Sequence, residues 1–460
     1  MQPKPFPESQ NHGDWRESKS RRPFFRSLLG VCFVSTAWAQ QPATRSLIGR
    51  HVPHRMANQT SKTPGQTVSR SFHAQANPHD EKIWELGTYP GGTWVTTWQI
   101  NDLDVIAGLG DVSAINDGSG YTHTLEVSLF GPTAGEWTDL GTLPGEQSIG
   151  CEEPLDGISN TGLVVSGSIT SDGHMRAVAW TKETGMVDLG TLADTGDPRY
   201  ANHNSSYAIS TNKLGTLIVG GSGVDQDTNS GFLAPVVWTP SKEWKNGKFV
   251  TKWNIHALDT AAYPNFWWMV FGVNDYGQIV GVGGDNNNPQ TTLIGALWNL
   301  RADGKGWRKL MSLPPSTAYP FTDPYGINES GEIAGMVASD DWSIWLPTLW
   351  KPLDRTRTTY SQVIMLPLPQ GVFTNAEAVG INDLGDIVGD TWNDDGSVDL
   401  AVRWTTKNLT FSELLNFPAD WSFSWGVNNN RIASVTYTGG EKCPAGVPWT
   451  YTCGGAIQLH

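Results

Sequence analysis

Several things that would identify a function are missing from this chain. Past residue 40, nothing approaches the roughly 18 continuous apolar residues that cross a bilayer. Cysteine is scarce, with four among 460 residues, and no cysteine and histidine spacing suits a metal. Beyond the first 39 residues there is no nucleophile elbow, no P-loop and no His-Glu-x-x-His helix. The histidines are scattered singly. Basic charge is also short: residues 1–80 hold 11 Lys/Arg against 4 Asp/Glu, leaving 20 against 41 for the rest. An acidic body of that kind argues against nucleic-acid binding, whose footprint is basic, and is otherwise a soluble acidic surface. No cofactor is expected.

The N-terminus has a different character. Ser20-Arg21-Arg22-Pro23-Phe24-Phe25-Arg26 resembles a twin-arginine export motif, followed by an apolar stretch from Ser27 to Trp38. Ala37-Trp38-Ala39 has the small-x-small pattern of a cleavage site. Residues 1–39 therefore read as an export signal, and 40–82 as a flexible leader rich in Gln, Ser, Thr, Pro and His. Export places the protein in an extracellular or periplasmic setting. Removal of the signal leaves Cys151, Cys443 and Cys453. In an oxidising compartment Cys443 and Cys453 can close a hairpin across Pro444, Gly446 and Pro448, leaving Cys151 over.

What the chain has in abundance is repetition, with 51 Gly and 22 Trp and only 17% charged residues. One phrase recurs as Gly272-Val273-Asn274-Asp275-Tyr276-Gly277-Gln278-Ile279-Val280-Gly281, again from Gly326-Ile327-Asn328, and again from Gly380-Ile381-Asn382. Weaker copies begin at Ile100-Asn101, Gly157-Ile158-Ser159, Ala208-Ile209-Ser210 and Gly426-Val427-Asn428. The Asn caps its own turn, and the Gly three places on takes the left-handed conformation that closes it. Each repeat divides into four extended pieces. The first centres on a Leu-Gly-Thr phrase (Leu86-Gly87-Thr88, Leu140-Gly141-Thr142, Leu189-Gly190-Thr191), decaying to Leu258, Leu310, Leu366 and Leu414. The second enters the Asn turn, the third is the Ile-Val-Gly run, and the fourth ends in Trp180, Trp238, Trp298, Trp350 or Trp404. Seven such copies over 83–460 predict an all-β propeller of seven four-stranded blades. The rival is an open β-repeat array, because no strand near residue 80 obviously completes the last blade.

The Asp-Leu-Gly-Thr-Leu phrase, the Gly-Ile-Asn-x-x-Gly-x-Ile-Val-Gly phrase and the Trp-ending strand together resemble the HAF family of bacterial extracellular repeat proteins. That resemblance implies secretion and a propeller-like array, and no activity. The chain departs from the family where Ala177-Val178, Pro235-Val236 and Pro347-Thr348 replace a His-Ala-Phe start, and where Leu143-Pro144-Gly145 replaces Leu-Gly-Gly.

In an up-and-down blade the loops after the first and third pieces share one face. Those loops carry aromatics, including Trp94, Trp267, Trp268 and Trp421, and acidic residues, including Asp340, Asp341, Asp394 and Asp395. Such a face suits a glycan or surface polymer, since aromatic rings stack on sugars and carboxylates accept from their hydroxyls. The expectation is a binding module, with a purely structural or adhesive surface protein as one alternative. A polysaccharide hydrolase or lyase is another, using two of these carboxylates or Glu152-Glu153. Calcium binding at Asp225 to Gly231 is a weaker reading, because the spacing departs from a calcium loop.

Overall fold

The computed structural model describes residues 82–112, 122–144, 149–150, 157–170, 174–223, 234–245, 247–287, 292–301, 306–307, 311–443 and 451–460. The export signal, nearly all of the leader, Cys151, Glu152-Glu153 and the Asp225 to Gly231 segment lie outside these residues. The described chain forms seven four-stranded antiparallel sheets arranged as the blades of a β-propeller. Blades one to six run consecutively, with inner strands that include Val95–Ile100, Ser205–Thr211, Phe266–Val273, Phe321–Ile327 and Asn375–Ile381.

Blade seven is built from both ends of the domain. Trp421–Phe423, Ile432–Thr438 and Cys453–Gln458 supply three strands, and Ile83–Gly87 pairs with Cys453–Gln458 as the fourth. The closing strand that the sequence did not reveal is therefore the Glu85-Leu86-Gly87 phrase itself. This also corrects the phase of the repeat. The Leu-Gly-Thr phrase does not begin a blade; it ends the outermost strand of the preceding one, as in Thr138–Asp139 and Gly185–Asp188. The Trp-ending piece is the third strand. Repeat and blade are offset by one strand, and that offset lets the first strand latch the last blade.

The repeated residues have definite tasks. Asp139 and Asp188 each accept from the N–H of the following Gly141 or Gly190 at 2.8 Å, and both glycines have φ near +80°. These bonds turn the chain out of the outer strand. The next leucines are buried: Leu140, Leu189, Leu258, Leu313, Leu366 and Leu415. Leu313 and Leu415 hold this place, not Leu310 and Leu414: their N–H groups bond back to Gly295 and Ala401 as Leu366 does to Pro347. The third-strand tryptophans Trp298, Trp350 and Trp404 are fully buried and donate Nε1–H to the carbonyls of Asp259, Pro314 and Pro367. Each indole thus fixes the loop that enters its own blade from the preceding one while filling the core between blades.

The Asn of the repeated turn acts within its blade and between blades. Asn274 Oδ1 accepts from Gln278 N at 3.0 Å, while its Nδ2 donates to the Asn328 carbonyl of the next blade at 3.0 Å. Asn328 reaches Asn382, Asn382 reaches Asn428, Asn428 reaches Asn101, and Asn101 reaches Ser159 in the same way. The Gly two places before the Asn makes room for this. A Cβ on Gly272, Gly326 or Gly380 would stand 2.8, 2.6 or 2.6 Å from a carbonyl oxygen of the neighbouring inner strand. Asp104 and Arg431 stand where other copies have the left-handed Gly, and both take φ of +61°.

Changing Asn274 to Asp keeps the turn acceptor and removes the donor between blades. We expect a loss of about 1–3 kcal/mol in urea unfolding, the cost of an orphaned buried carbonyl. Asn393→Asp, at an exposed hairpin whose amide makes no such bond, is expected to cost under about 0.5 kcal/mol.

Candidate functional site

The two ends of the propeller axis differ, and the inner strands show why. Those of blades one and three to six carry a bulge just before the turn, as between Val270 and Gly272 or Pro324 and Gly326. Above the bulge, alternate residues turn towards the axis. They form three levels. Nearest the turns lie Ile209, Phe271, Tyr325, Val379, Trp425 and Trp98; Trp98 and Trp425 meet at 5.6 Å between ring centres, and Phe271 and Tyr325 at 5.4 Å. The middle level holds Tyr207, Met269, Asp323, Glu377 and Phe423, and the outer level Trp94, Trp267, Phe321, Asn375 and Trp421.

Trp94, Trp267 and Trp421 thus occupy the same step on three inner strands, at the loop end of the axis. Trp94 and Trp267 are partly exposed. Trp421 is buried and donates Nε1–H to Asp399 Oδ2 at 2.7 Å. Trp268 does not share this face. One residue on from Trp267, it points between blades, is 2% exposed and packs edge-on to Trp298 at 5.5 Å.

On the inner strands of blades five and six lies a polar group that motif reading missed. The Tyr325 hydroxyl lies 3.2 Å from Asp323 Oδ2 and 3.3 Å from Glu377 Oε2, and both carboxylates are buried. Burial, reinforced by the two acids, pushes the tyrosine well above its ordinary pKa. The available signal was register: both acids lie five places before a repeated Asn, on the axis-facing step.

The four acidic candidates do not reach this level. Asp340, Asp341, Asp394 and Asp395 are exposed at hairpin tips. Asp341 accepts from the hydroxyls of Ser339 and Ser343, which hold its carboxyl down to about 2. Asp395 accepts from Ser397 N at 3.0 Å and is lowered for a similar reason. Asp341 and Asp395 are turn caps. Cys443 and Cys453 are joined by a disulfide, with Cα atoms 5.8 Å apart.

At the opposite end, residues following the repeated Asn ring a polar depression lined from all seven blades. Side chains here accept from the backbone of the preceding blade: Glu329 from Asp275 N, Asp383 from Glu329 N, Asn429 from Asp383 N, and Asp102 from Asn429 N. Lys213, from blade three, reaches Asp383 of blade six at 2.6 Å and Asp102 of blade one at 3.6 Å. Burial opposes charge on Asp383, but the Lys213 ammonium and Asn429 amide outweigh it and hold its carboxyl low. Glu329 is pushed up to about 7, first by burial and then by the nearby Asp275 and Asp383. This assembly is a strut across the axis.

No family model matches the chain, and no curated protein matches it. Solved structures similar in fold include a luciferin-regenerating enzyme, at 10% identity over 82% of this chain and 95% of that one, TM-score 0.36. A Trypanosoma rangeli sialidase matches at 10% identity over 82% and 59%, TM-score 0.40. A puromycin hydrolase matches at 12% over 74% and 49%, TM-score 0.40. The likeness is one of fold alone.

The raised Glu329 gives a signed pH effect. Its folded form keeps a proton that the unfolded form releases above the ordinary value of 4.5. Its stabilising contribution is therefore complete below that value and is lost as pH rises through about 7. Melting curves from about pH 5 to about pH 8 are expected to show wild type losing a few degrees relative to Glu329→Gln, levelling beyond.

Proposed function

We propose that this chain is an exported, HAF-like repeat protein whose propeller serves as a binding module for a glycan or other hydroxyl-rich surface polymer. The proposed site is the loop end of the axis, at Trp94 and Trp267. One observation carries this reading: the two partly exposed indoles occupy the same step on the inner strands of blades one and four, seven places before Asn101 and Asn274. Indole faces stack on the C–H faces of a sugar ring. Trp421 belongs to the same level as a supporting wall, held by Asp399.

A hydrolase or lyase would need two carboxyl groups that reach the scissile bond. Asp323 and Glu377 are the only pair of acids that a single hydroxyl bridges among the described axial residues. At 1% and 2% exposure they sit too deep to act on a polymer lying across the mouth. Binding is therefore the reading the geometry favours over catalysis.

The test is retention of the purified chain on a panel of soluble and insoluble polysaccharides. Trp94→Ala and Trp267→Ala are each expected to lower affinity about tenfold for the retained polymer, with little change in melting. Asp340→Asn and Asp394→Asn are expected to leave retention unchanged. Retention of neither wild type nor variants would instead favour a structural or adhesive surface protein.

A further inference from the structure

Blade three carries a projection that the propeller does not require. Its two outer strands, Ala234–Lys245 and Lys248–Ala257, are 12 and 10 residues long. The second strand of the blade pairs only as far as Trp238. Beyond it, pairing continues from Thr239 with Asn254 to Lys245 with Lys248, giving a two-stranded ribbon that stands clear of the sheet.

Alternation gives the ribbon two faces. On one, Pro240 lies opposite Trp253, Lys242 opposite Thr251, and Trp244 opposite Phe249 at the tip. Trp244 is 63% exposed and Phe249 68%, and their rings meet edge to face at 4.8 Å. The other face carries Lys245, Lys248 and Lys252 beside Glu243 and Val250. Four lysines against one acid thus gather on a single projection of a body whose balance is acidic.

These features select a partner. Large aromatics at the end of a ribbon gain nothing from the fold, and they favour a boundary where one side is apolar and the other wet. Lysines behind them match negative charge. A neutral glycan would make no use of four lysines, and rings set 75° apart offer no shared flat platform for a sugar. The acidic remainder of the body is repelled by a negative surface, which confines contact to the tip.

We propose that the 239–254 ribbon is a membrane-docking finger, which seats Trp244 and Phe249 in the interface of an anionic lipid bilayer with its lysines against the headgroups. It is independent of the polymer site, which lies at the axis.

The test uses the full chain with sedimenting vesicles of phosphatidylcholine, alone or with about one third phosphatidylglycerol. Wild type is expected to pellet with the anionic vesicles and to be released by salt. The same vesicles are expected to slow tryptic cleavage at Lys242, Lys245, Lys248 and Lys252, a local readout that the basic N-terminus cannot mimic. Trp244→Ala with Phe249→Ala is expected to reduce partitioning at least tenfold. Lys245→Gln with Lys248→Gln is expected to reduce it about 25-fold, at about fivefold per lysine. All four side chains lie on the exposed ribbon, so melting is expected to stay unchanged. Equal binding to neutral vesicles would overturn the proposal, as would pelleting without protection of the ribbon. So would retention on an acidic polysaccharide without any vesicle binding, which would assign the finger to a soluble polyanion.

Discussion

Seven strand turns must meet around one axis without clashing and without leaving a backbone group unsatisfied, and the rest of the structure depends on that closure. Blade two has Ser159 at this place; in the other six turns the solution is one amide. Its oxygen closes its own hairpin and its nitrogen binds the carbonyl of the next blade, from Asn274 through Asn328, Asn382, Asn428 and Asn101 to Ser159. Blade three uses a variant, with Asn212 Nδ2 reaching Asp275 Oδ1 at 2.7 Å. A buried amide that satisfies donors and acceptors on two blades couples local turn geometry to the closing of the ring. The Gly two places earlier serves the same end, by letting neighbouring inner strands approach. Ile83–Gly87 then completes the last blade as its outermost strand and ties the two ends of the domain together.

Much of this was legible in the sequence because it is local. The Asn-x-x-Gly turn, the buried strand after it and the Trp-ending strand are each set by residues within a few places, and seven copies fix the blade number. The phase of the repeat was not legible. Outer strands such as Thr138–Asp139, Met311–Ser312 and Ile364–Met365 are two residues long and carry no periodicity. Closure pairs Ile83 with Ile457 across nearly the whole domain, and no local pattern records such a contact.

The candidate site divided along the same line. Trp267 and Trp268 are adjacent in sequence, yet period-two alternation sends one to the axis and the other into the core between blades. Residue type alone could not separate them. Asp341 and Asp395 drew attention as exposed acids in loops, where turn capping suffices to explain such residues. Asp323 and Glu377 were overlooked because they interrupt strands that otherwise read as apolar. Once the bulge before each turn is placed, their shared step towards the axis follows from counting back from Asn328 and Asn382. The division of labour is then physical: the turn end of the axis is tied shut by polar bonds, and the loop end is left to side chains that differ from blade to blade.

Closure around the ring is the central claim, and backbone hydrogen exchange on the full chain tests it most directly. A closed, latched ring has no terminal blade, so Ile83–Gly87 and Cys453–Gln458 should be protected as strongly as the matching strands of blades four to six. Exchange that is fast in blades one and seven and slows towards the middle would contradict the account, because such a gradient is the signature of an open array fraying from its ends.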